Sequence, residues 1–322
     1  MKKSISLILA SVLVLGSFAG CANETEEKEI NHYFCPECTE EFTTKEAALS
    51  HCADQKSFQT SILALGAVVE QLKASETAYS VKITDDSVSK SKATWLTNTL
   101  KEVKENVLID LDLSGSTLEA DVTVNYQVDC IRSLKLPQGM QRIKGHSFGG
   151  AKNLTEVYIS DSVTELDSYA FTDCEKLEKI VISSTVTTID RSAFSHCSNL
   201  KEIELPEGLT ELKEGLFFSC SSLEKVKMPS SLKTIEKTVF FRCDGLTEIE
   251  IPASVTTIEA NAFQSCSNLK KVIFQNPEGW QRSTNEGAPV DLSKDDLSDP
   301  EKAAKLLSNY DDYLYKWTRT NK

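Results

Sequence analysis

Cysteine and histidine are the residues of this chain whose spacing could hold a metal or carry redox chemistry. Cys35 and Cys38 are separated by two residues, and Cys38 and His51 by twelve. That is the spacing of three ligands of a tetrahedral zinc site, a knuckle hairpin followed by a helix. Thr43-Thr44-Lys45-Glu46 supplies a capping-box start for the helix. A fourth ligand should stand about four to six residues beyond His51, and residues 54–57 hold no histidine. Cys52 is adjacent to His51, but neighbours on a helix point about 100° apart, so sharing one metal requires distortion. Three readings stay open for this segment: a zinc knuckle completed by Cys52 or His32, a small disulfide formed after export, or a relic with free thiols.

Five further cysteines, Cys174, Cys197, Cys220, Cys243 and Cys266, recur at a constant 23-residue interval. A redox or metal ladder would need thiolates that approach one another. Parallel Cβ vectors disfavour disulfides between neighbours, and Ala151 stands in the same column. The column is therefore expected to be buried and small, without sulfur chemistry. His146 and His196 fall in equivalent turn regions of different repeats, with no nucleophile at motif spacing, and read as solvated turn residues. Gly-x-Ser-x-Gly, His-Glu-x-x-His and phosphate-loop patterns are all missing from the sequence, so no catalytic residues are assigned and an enzyme is not expected.

The N-terminus speaks to location. Met1-Lys2-Lys3 is basic and is followed by an apolar run from Ile5 to Leu15, too short to span a bilayer comfortably. Ser17-Phe18-Ala19-Gly20-Cys21 resembles the lipobox of bacterial lipoproteins, with Phe18 where leucine is usual. The resemblance implies that Cys21 carries lipid in the mature protein, leaving residues 1–20 as a removed signal peptide. No later segment is apolar enough for a transmembrane helix. Residues 21–30 are an acidic tether. The net charge of −13 would repel a nucleic-acid backbone.

The elements that must position these residues follow from the repeat. Three residues ahead of each cysteine stands a phenylalanine, from Phe171 to Phe263, and three residues after it a leucine, from Leu177 to Leu269. A fixed period of this length is one supersecondary unit stacked on copies of itself. In the unit that starts at Leu246, Ile249 and Ile251 pattern a strand that Pro252 ends. Val255 and Ile258 return inward, and Ala262, Phe263 and Cys266 close a short turn. The columns give six full repeats from Ile131 and a partial seventh at Leu269, Val272 and Phe274. The unit resembles the BspA-like leucine-rich repeat of bacterial surface proteins, over roughly residues 79–317. Residues 111–115, Leu-Asp-Leu-Ser-Gly, look like that family's N-terminal cap, particularly in spirochaete members. Gly279-Trp280 and residues 292–317 look like its C-terminal cap.

The expected fold is a leucine-rich-repeat solenoid, a parallel β-sheet of 23-residue repeats. Residues 31–56 form the zinc-finger-like segment, 57–130 an α+β N-terminal cap, 131–275 the repeats and 276–322 a helical C-terminal cap. Within the N-terminal cap, Phe58, Ile62, Leu65, Val69 and Leu72 read as one helix face, Tyr79 to Ile83 as a strand, and Ala93, Leu96, Leu100 and Val103 as a second helix. Residues 108–114 read as a degenerate first strand of the array.

Outward strand positions alternate in sign, Glu156, Lys179, Glu202, Lys225, Glu248 and Lys271, a self-neutralising ladder. Tyr158, Val181, Ser160 and Ser183 interrupt it and are the expected partner-contacting residues. The family resemblance implies a lipid-anchored surface protein that binds another protein, adhering to host extracellular matrix or to other cells. The alternatives are an envelope assembly lipoprotein without a host ligand, and a zinc-binding or redox lipoprotein resting on Cys35, Cys38, His51 and Cys52.

Overall fold

The computed structural model describes residues 33–34, 41–42, 57–63, 65–66, 69, 72, 78–104, 106–119, 128–284, 288–308 and 315–320. The chain divides into two compact units, one of residues 1–124 with 128–138, the other of 139–322 with 125–127.

In the first unit the strands Ser57–Thr60, Tyr79–Ile83, Ile109–Asp112 and Ile131–Lys135 lie side by side in that order, all parallel. Tyr79, Val81 and Ile83 are buried while Ser80 and Lys82 are exposed, the period-two pattern of a sheet with one covered face. Phe58 departs from expectation: it belongs to the strand Ser57–Thr60 and pairs with Val81, whereas Ile62, Leu65, Val69 and Leu72 are buried after it. The pairing of Ser57 with Ser80 is itself a 23-residue step. Residues 108–114 are correspondingly not the first strand; Ile109–Asp112 is third in the sheet. The edge of Tyr79–Ile83 carries backbone donors and acceptors that a helix, with its own groups internally bonded, could not satisfy, and a strand does.

The helix Lys90–Lys101 starts at Ser89, whose side chain accepts from the Lys92 amide, and it buries Ala93, Leu96 and Leu100. Ile109 pairs with Ile131 but Asp110 with Ser133, so Arg132 is a one-residue bulge. Its guanidinium is bonded to both oxygens of Asp110. Cys130, outside the cysteine column, is buried with its Sγ 3.3 Å from the Leu100 carbonyl oxygen.

In the second unit each repeat contributes three sides. Longer strands pair in register: Glu156–Tyr158 with Lys179–Val181, Glu202–Glu204 with Lys225–Lys227, and Glu248–Ile251 with Lys271–Phe274. Two-residue strands form a second side, Arg142–Ile143, Glu165–Leu166 and Thr188–Ile189, then Glu211–Leu212, Thr234–Ile235 and Thr257–Ile258. The third side is a turn bearing two left-handed residues per repeat. His146, Tyr169, Ser192, Gly215, Thr238 and Asn261 form one such column, and Gly150, Asp173, His196, Ser219, Arg242 and Ser265 the other, with φ from 52° to 73°. Turn amides donate to the following repeat, as Phe171 to Ala193 at 2.8 Å and Phe194 to Leu216 at 3.1 Å.

The core of this unit is a set of columns. Phe148, Phe171, Phe194, Phe217, Phe240 and Phe263 are all buried and stack with ring centroids 4.6 to 5.8 Å apart. Leucine and isoleucine columns of the two strand sides fill the rest. The C-terminal cap is less helical than expected. It holds the short helices Lys294–Ser298 and Pro300–Ser308, and also the strands Trp280–Ser283, Val290–Asp291 and Lys316–Arg319. The reason is edge closure: Lys316–Arg319 pairs antiparallel with Thr257–Ile258, which only another strand can satisfy. The helix Pro300–Ser308 packs on the last long strand, Lys271–Phe274. Phe274, Trp280 and Trp317 meet at 5.3 to 6.5 Å, and the Trp280 indole donates to the Asn276 carbonyl at 3.0 Å.

Candidate binding surface

The outward positions of the long strands make two columns in the second unit. The first is the charge ladder, with Glu156 opposite Lys179, Glu202 opposite Lys225 and Glu248 opposite Lys271. Lys271 Nζ is 3.6 Å from Glu248 Oε2, and in the second column Lys227 pairs with Glu204. Exposed pairs of this kind contribute about 0–1 kcal/mol each, so the ladder holds register and solubility more than stability.

Tyr158 and Val181 stand in the second column, ahead of Glu204 and Lys227. Tyr158 is half-buried; its hydroxyl donates to Glu156 Oε2 at 3.0 Å, and Lys179 Nζ lies 5.4 Å from its ring centroid. Val181 is 42% exposed, an apolar side chain left in the open on a charged face. Beside it the backbone pairing lapses between Lys179–Val181 and Glu202–Glu204, and a groove of about 290 Å³ opens there. Val181, Ile182 and Ile203 give the groove an apolar lining, rimmed by Lys179, Glu202 and Lys227.

Ser160 and Ser183 are not on this surface. Each is 8% exposed. They occupy the position that Pro206, Pro229 and Pro252 take in later repeats, where the strand ends and the chain turns inward. Ser183 Oγ donates to Asp161 Oδ1 at 2.7 Å and accepts from the Thr185 amide, and Ser160 Oγ bonds Ser162 Oγ at 3.1 Å. Sequence alternation alone places them outward; the turn uses their hydroxyls as local bonding groups instead.

The cysteine column is buried throughout, and it does more than fill space. Each thiol donates to the carbonyl of the phenylalanine one repeat back: Cys174 to Phe148 at 3.1 Å, Cys197 to Phe171 at 3.2 Å, and so on to Cys266 and Phe240 at 3.0 Å. Burial pushes the thiols of Cys174, Cys220 and Cys266 up to about 12. The thiolate that metal binding or redox exchange requires is therefore suppressed. Among the described residues no group of three or more His, Cys, Asp or Glu is placed to hold a metal ion.

Cys21, Cys35, Cys38, His51 and Cys52 lie outside the described residues. On either side of the first cysteine pair, the backbone of Tyr33–Phe34 pairs antiparallel with Glu41–Phe42. No helix among the described residues is long and apolar enough to cross a membrane. His146 and His196 are both exposed on the turn side, but in different columns: His146 aligns with Tyr169, His196 with Asp173.

The BspA type Leucine rich repeat region, in six copies, matches residues 122–247 and 206–278. No curated protein matches the chain. Among solved structures, a leucine rich cell surface protein from Faecalibacterium prausnitzii is 21% identical, with a TM-score of 0.42, covering 84% of this chain and 58% of its own. A leucine rich repeat protein of T. pallidum is 19% identical, with a TM-score of 0.41, covering 79% of this chain and 84% of its own. The pneumococcal vaccine antigen PcpA is 15% identical, with a TM-score of 0.26, covering 63% and 64%. The chain thus spans little more than half the length of the first of these.

Proposed function

Residues 122–278 are a leucine-rich repeat region of the BspA type, and from that premise we infer that the chain binds another protein through the strand face of its second unit. Such repeats generally serve protein–protein interaction, and a stacked array exposes a regular surface whose columns can vary without disturbing the core. The observation that carries the reading is the break in the charge ladder. Val181 stands 42% exposed beside a groove of about 290 Å³, on a charged face where the other exposed apolar side chain of its column, Ile273, lies four repeats on and lines no part of that groove. A half-buried tyrosine beside an exposed valine is the composition of an interface centre with a charged rim.

The test is a pull-down with residues 30–322 immobilised against host matrix and whole-cell extracts, followed by affinity measurements on the captured protein. Val181→Lys extends the alternating ladder and should weaken binding about tenfold or more at unchanged melting temperature. Tyr158→Ala leaving affinity intact while Lys227→Ala abolishes it would overturn the assignment.

In this reading the protein is exported, lipid-anchored at Cys21 and displayed on the cell surface, where it adheres to host matrix or to other cells. Cys21→Ala should release it into the medium, and protease added to intact cells should degrade the wild-type chain. Survival of the chain under that protease would favour an inward-facing envelope assembly role instead. A second reading, zinc held by Cys35, Cys38, His51 and Cys52, is favoured by the strand pairing of Tyr33 with Phe42 around the first two cysteines. Metal analysis of the purified ectodomain tests it, with Cys35→Ser expected to lose about one equivalent.

A further inference from the structure

The turn side of the second unit carries a groove that the strand-face reading does not use. Its floor is one column of small residues, Gly149, Thr172 and Ser195, and the next residue of that column, Phe218, closes its end. His146 and Tyr169 flank the floor on one side, and Asp173 and His196 on the other. The space measures about 610 Å³, within the range of ligand sites.

The chemistry of the lining is one-sided. Asp173 is an exposed carboxylate, and neither lysine nor arginine is among the lining residues. Thr172 and Ser195 are buried with their hydroxyls 2.7 Å apart, and Thr172 Oγ1 lies 3.5 Å from Asp173 Oδ2. With Thr172 donating towards the carboxylate, Ser195 donates to Thr172, and the floor presents acceptor lone pairs. The aromatic walls are ordered: His146 stacks on Tyr169 at 5.2 Å, and His196 lies 5.4 Å from Phe218. The chain already seats guanidinium groups against rings on this side, Arg191 5.6 Å from the Tyr169 centroid and Arg242 5.4 Å from that of Phe241.

We propose that this groove binds an arginine side chain of a partner protein, with Asp173 as counter-ion and His146, His196 and Phe218 as the aromatic groups along its sides. A planar guanidinium matches both demands at once, five donors for an acceptor-rich floor and a flat cation for aromatic walls. The chain's net charge of −13 draws a basic segment towards it. The proposal is independent of the strand face, because no residue of the groove lies on it.

The probe is a fluorescein-labelled Gly-Ser-Arg-Gly-Ser-Arg-Gly peptide titrated with residues 30–322, beside the same peptide carrying citrulline for arginine. The arginine peptide should bind about tenfold or more tightly than the citrulline one. Asp173→Asn should lose about that factor; asparagine accepts the left-handed backbone at this position, where φ is 58°. Ser195→Phe, which extends the Phe218–Phe241 column into the groove, should abolish binding at a melting temperature close to wild type. Glu224→Gln, an exposed charge outside the groove, should change nothing. Equal affinity for the two peptides, or equal losses in Asp173→Asn and Glu224→Gln, would overturn the proposal in favour of nonspecific charge attraction.

Discussion

Each buried thiol is a small hydrogen-bond donor in a place where ionisation is penalised, and that has a consequence at alkaline pH. The folded thiols of Cys174, Cys220 and Cys266 are held up to about 12, with desolvation by burial as the cause, while the unfolded chain ionises near the ordinary thiol value. A group whose folded value is raised keeps its stabilising share below the unfolded value and loses it as pH climbs towards the folded one. The fold should therefore weaken steeply between roughly pH 9 and 12, each thiol adding about 1.4 kcal/mol per pH unit to the slope. Denaturant titrations at pH 8 and pH 10 read this directly. Cys220→Ala should flatten the pH profile while lowering stability at pH 8 by about 1 kcal/mol for the lost donation to the Phe194 carbonyl and the small void. A profile unchanged by that substitution would show that the thiols do not set it. The left-handed turn residues allow a second test at this scale. Thr238 is β-branched at φ 55°, and Gly215 holds the equivalent position one repeat earlier. Left-handed backbone costs an L-residue about 1–2 kcal/mol, and glycine returns about 0.5–1 kcal/mol of that as unfolded-state entropy. Thr238→Gly should accordingly raise stability by about 0.5–1 kcal/mol. Gly215→Ala should lower it, since its Cβ would come 2.9 Å from Ser192 Oγ. The burial of the cysteine column was legible in the sequence, from its period and from Ala151. Its donation to a carbonyl one repeat back was not, because that bond depends on how neighbouring turns are offset and not on spacing within a turn.

At the scale of elements, the two chain ends differ in what the sequence revealed. The 23-residue columns fix where strands begin, and the strands observed from Arg142–Ile143 to Lys271–Phe274 follow them. Ser57–Thr60 escaped because four residues offer too little alternation to compete with the helical spacing of Ile62, Leu65, Val69 and Leu72 that follows. What identifies it is a neighbour, Tyr79–Ile83, and no local pattern carries that information. Lys316–Arg319 escaped for the same reason, since its partner Thr257–Ile258 lies some sixty residues away in sequence. The cap strand closes an edge that would otherwise be an open template for another chain. Truncation after Ser308 should therefore produce concentration-dependent self-association, visible by sedimentation velocity, where the intact chain stays at constant mass. Trp317→Ala removes a fully buried ring stacked on Phe274 and should cost about 3–5 kcal/mol. If that variant melts normally, the strand contributes backbone closure alone and the ring is dispensable. The same reasoning limits what could be seen of the strand face: alternation gives the outward placement of Tyr158 and Val181 that the strands show, and fails at Ser160 and Ser183, where the strand has already ended.

On the scale of the second unit as a whole, a stack of repeats is as cohesive as its weakest joint, because each turn touches only its neighbours. The backbone pairing of the long strands lapses between Lys179–Val181 and Glu202–Glu204, and that of the short strands between Thr188–Ile189 and Glu211–Leu212. At the comparable lapse between Lys225–Lys227 and Glu248–Ile251 the short strands stay paired, Thr234 with Thr257. Only at the first joint do both strand sides let go together among the described residues. The turn side still holds there, with Ser192 donating to Glu214 at 3.0 Å and Phe194 to Leu216 at 3.1 Å, over the Phe194–Phe217 stack at 5.8 Å. Two open sides and one bonded side make a joint that can flex about the phenylalanine column. Val181 and the strand-face groove sit at this opening, so a partner seated there would bridge the two turns and stiffen them. Amide hydrogen exchange separates this from a uniformly rigid stack. The Glu202 amide should exchange well before those of Lys179 and Lys225, which donate to Thr155 and Lys201 at 3.1 Å. Occupancy of the groove should slow Glu202 selectively. Equal protection at the three positions in the free protein would mean that the joint is closed in solution, and that binding at Val181 gains nothing from tightening it.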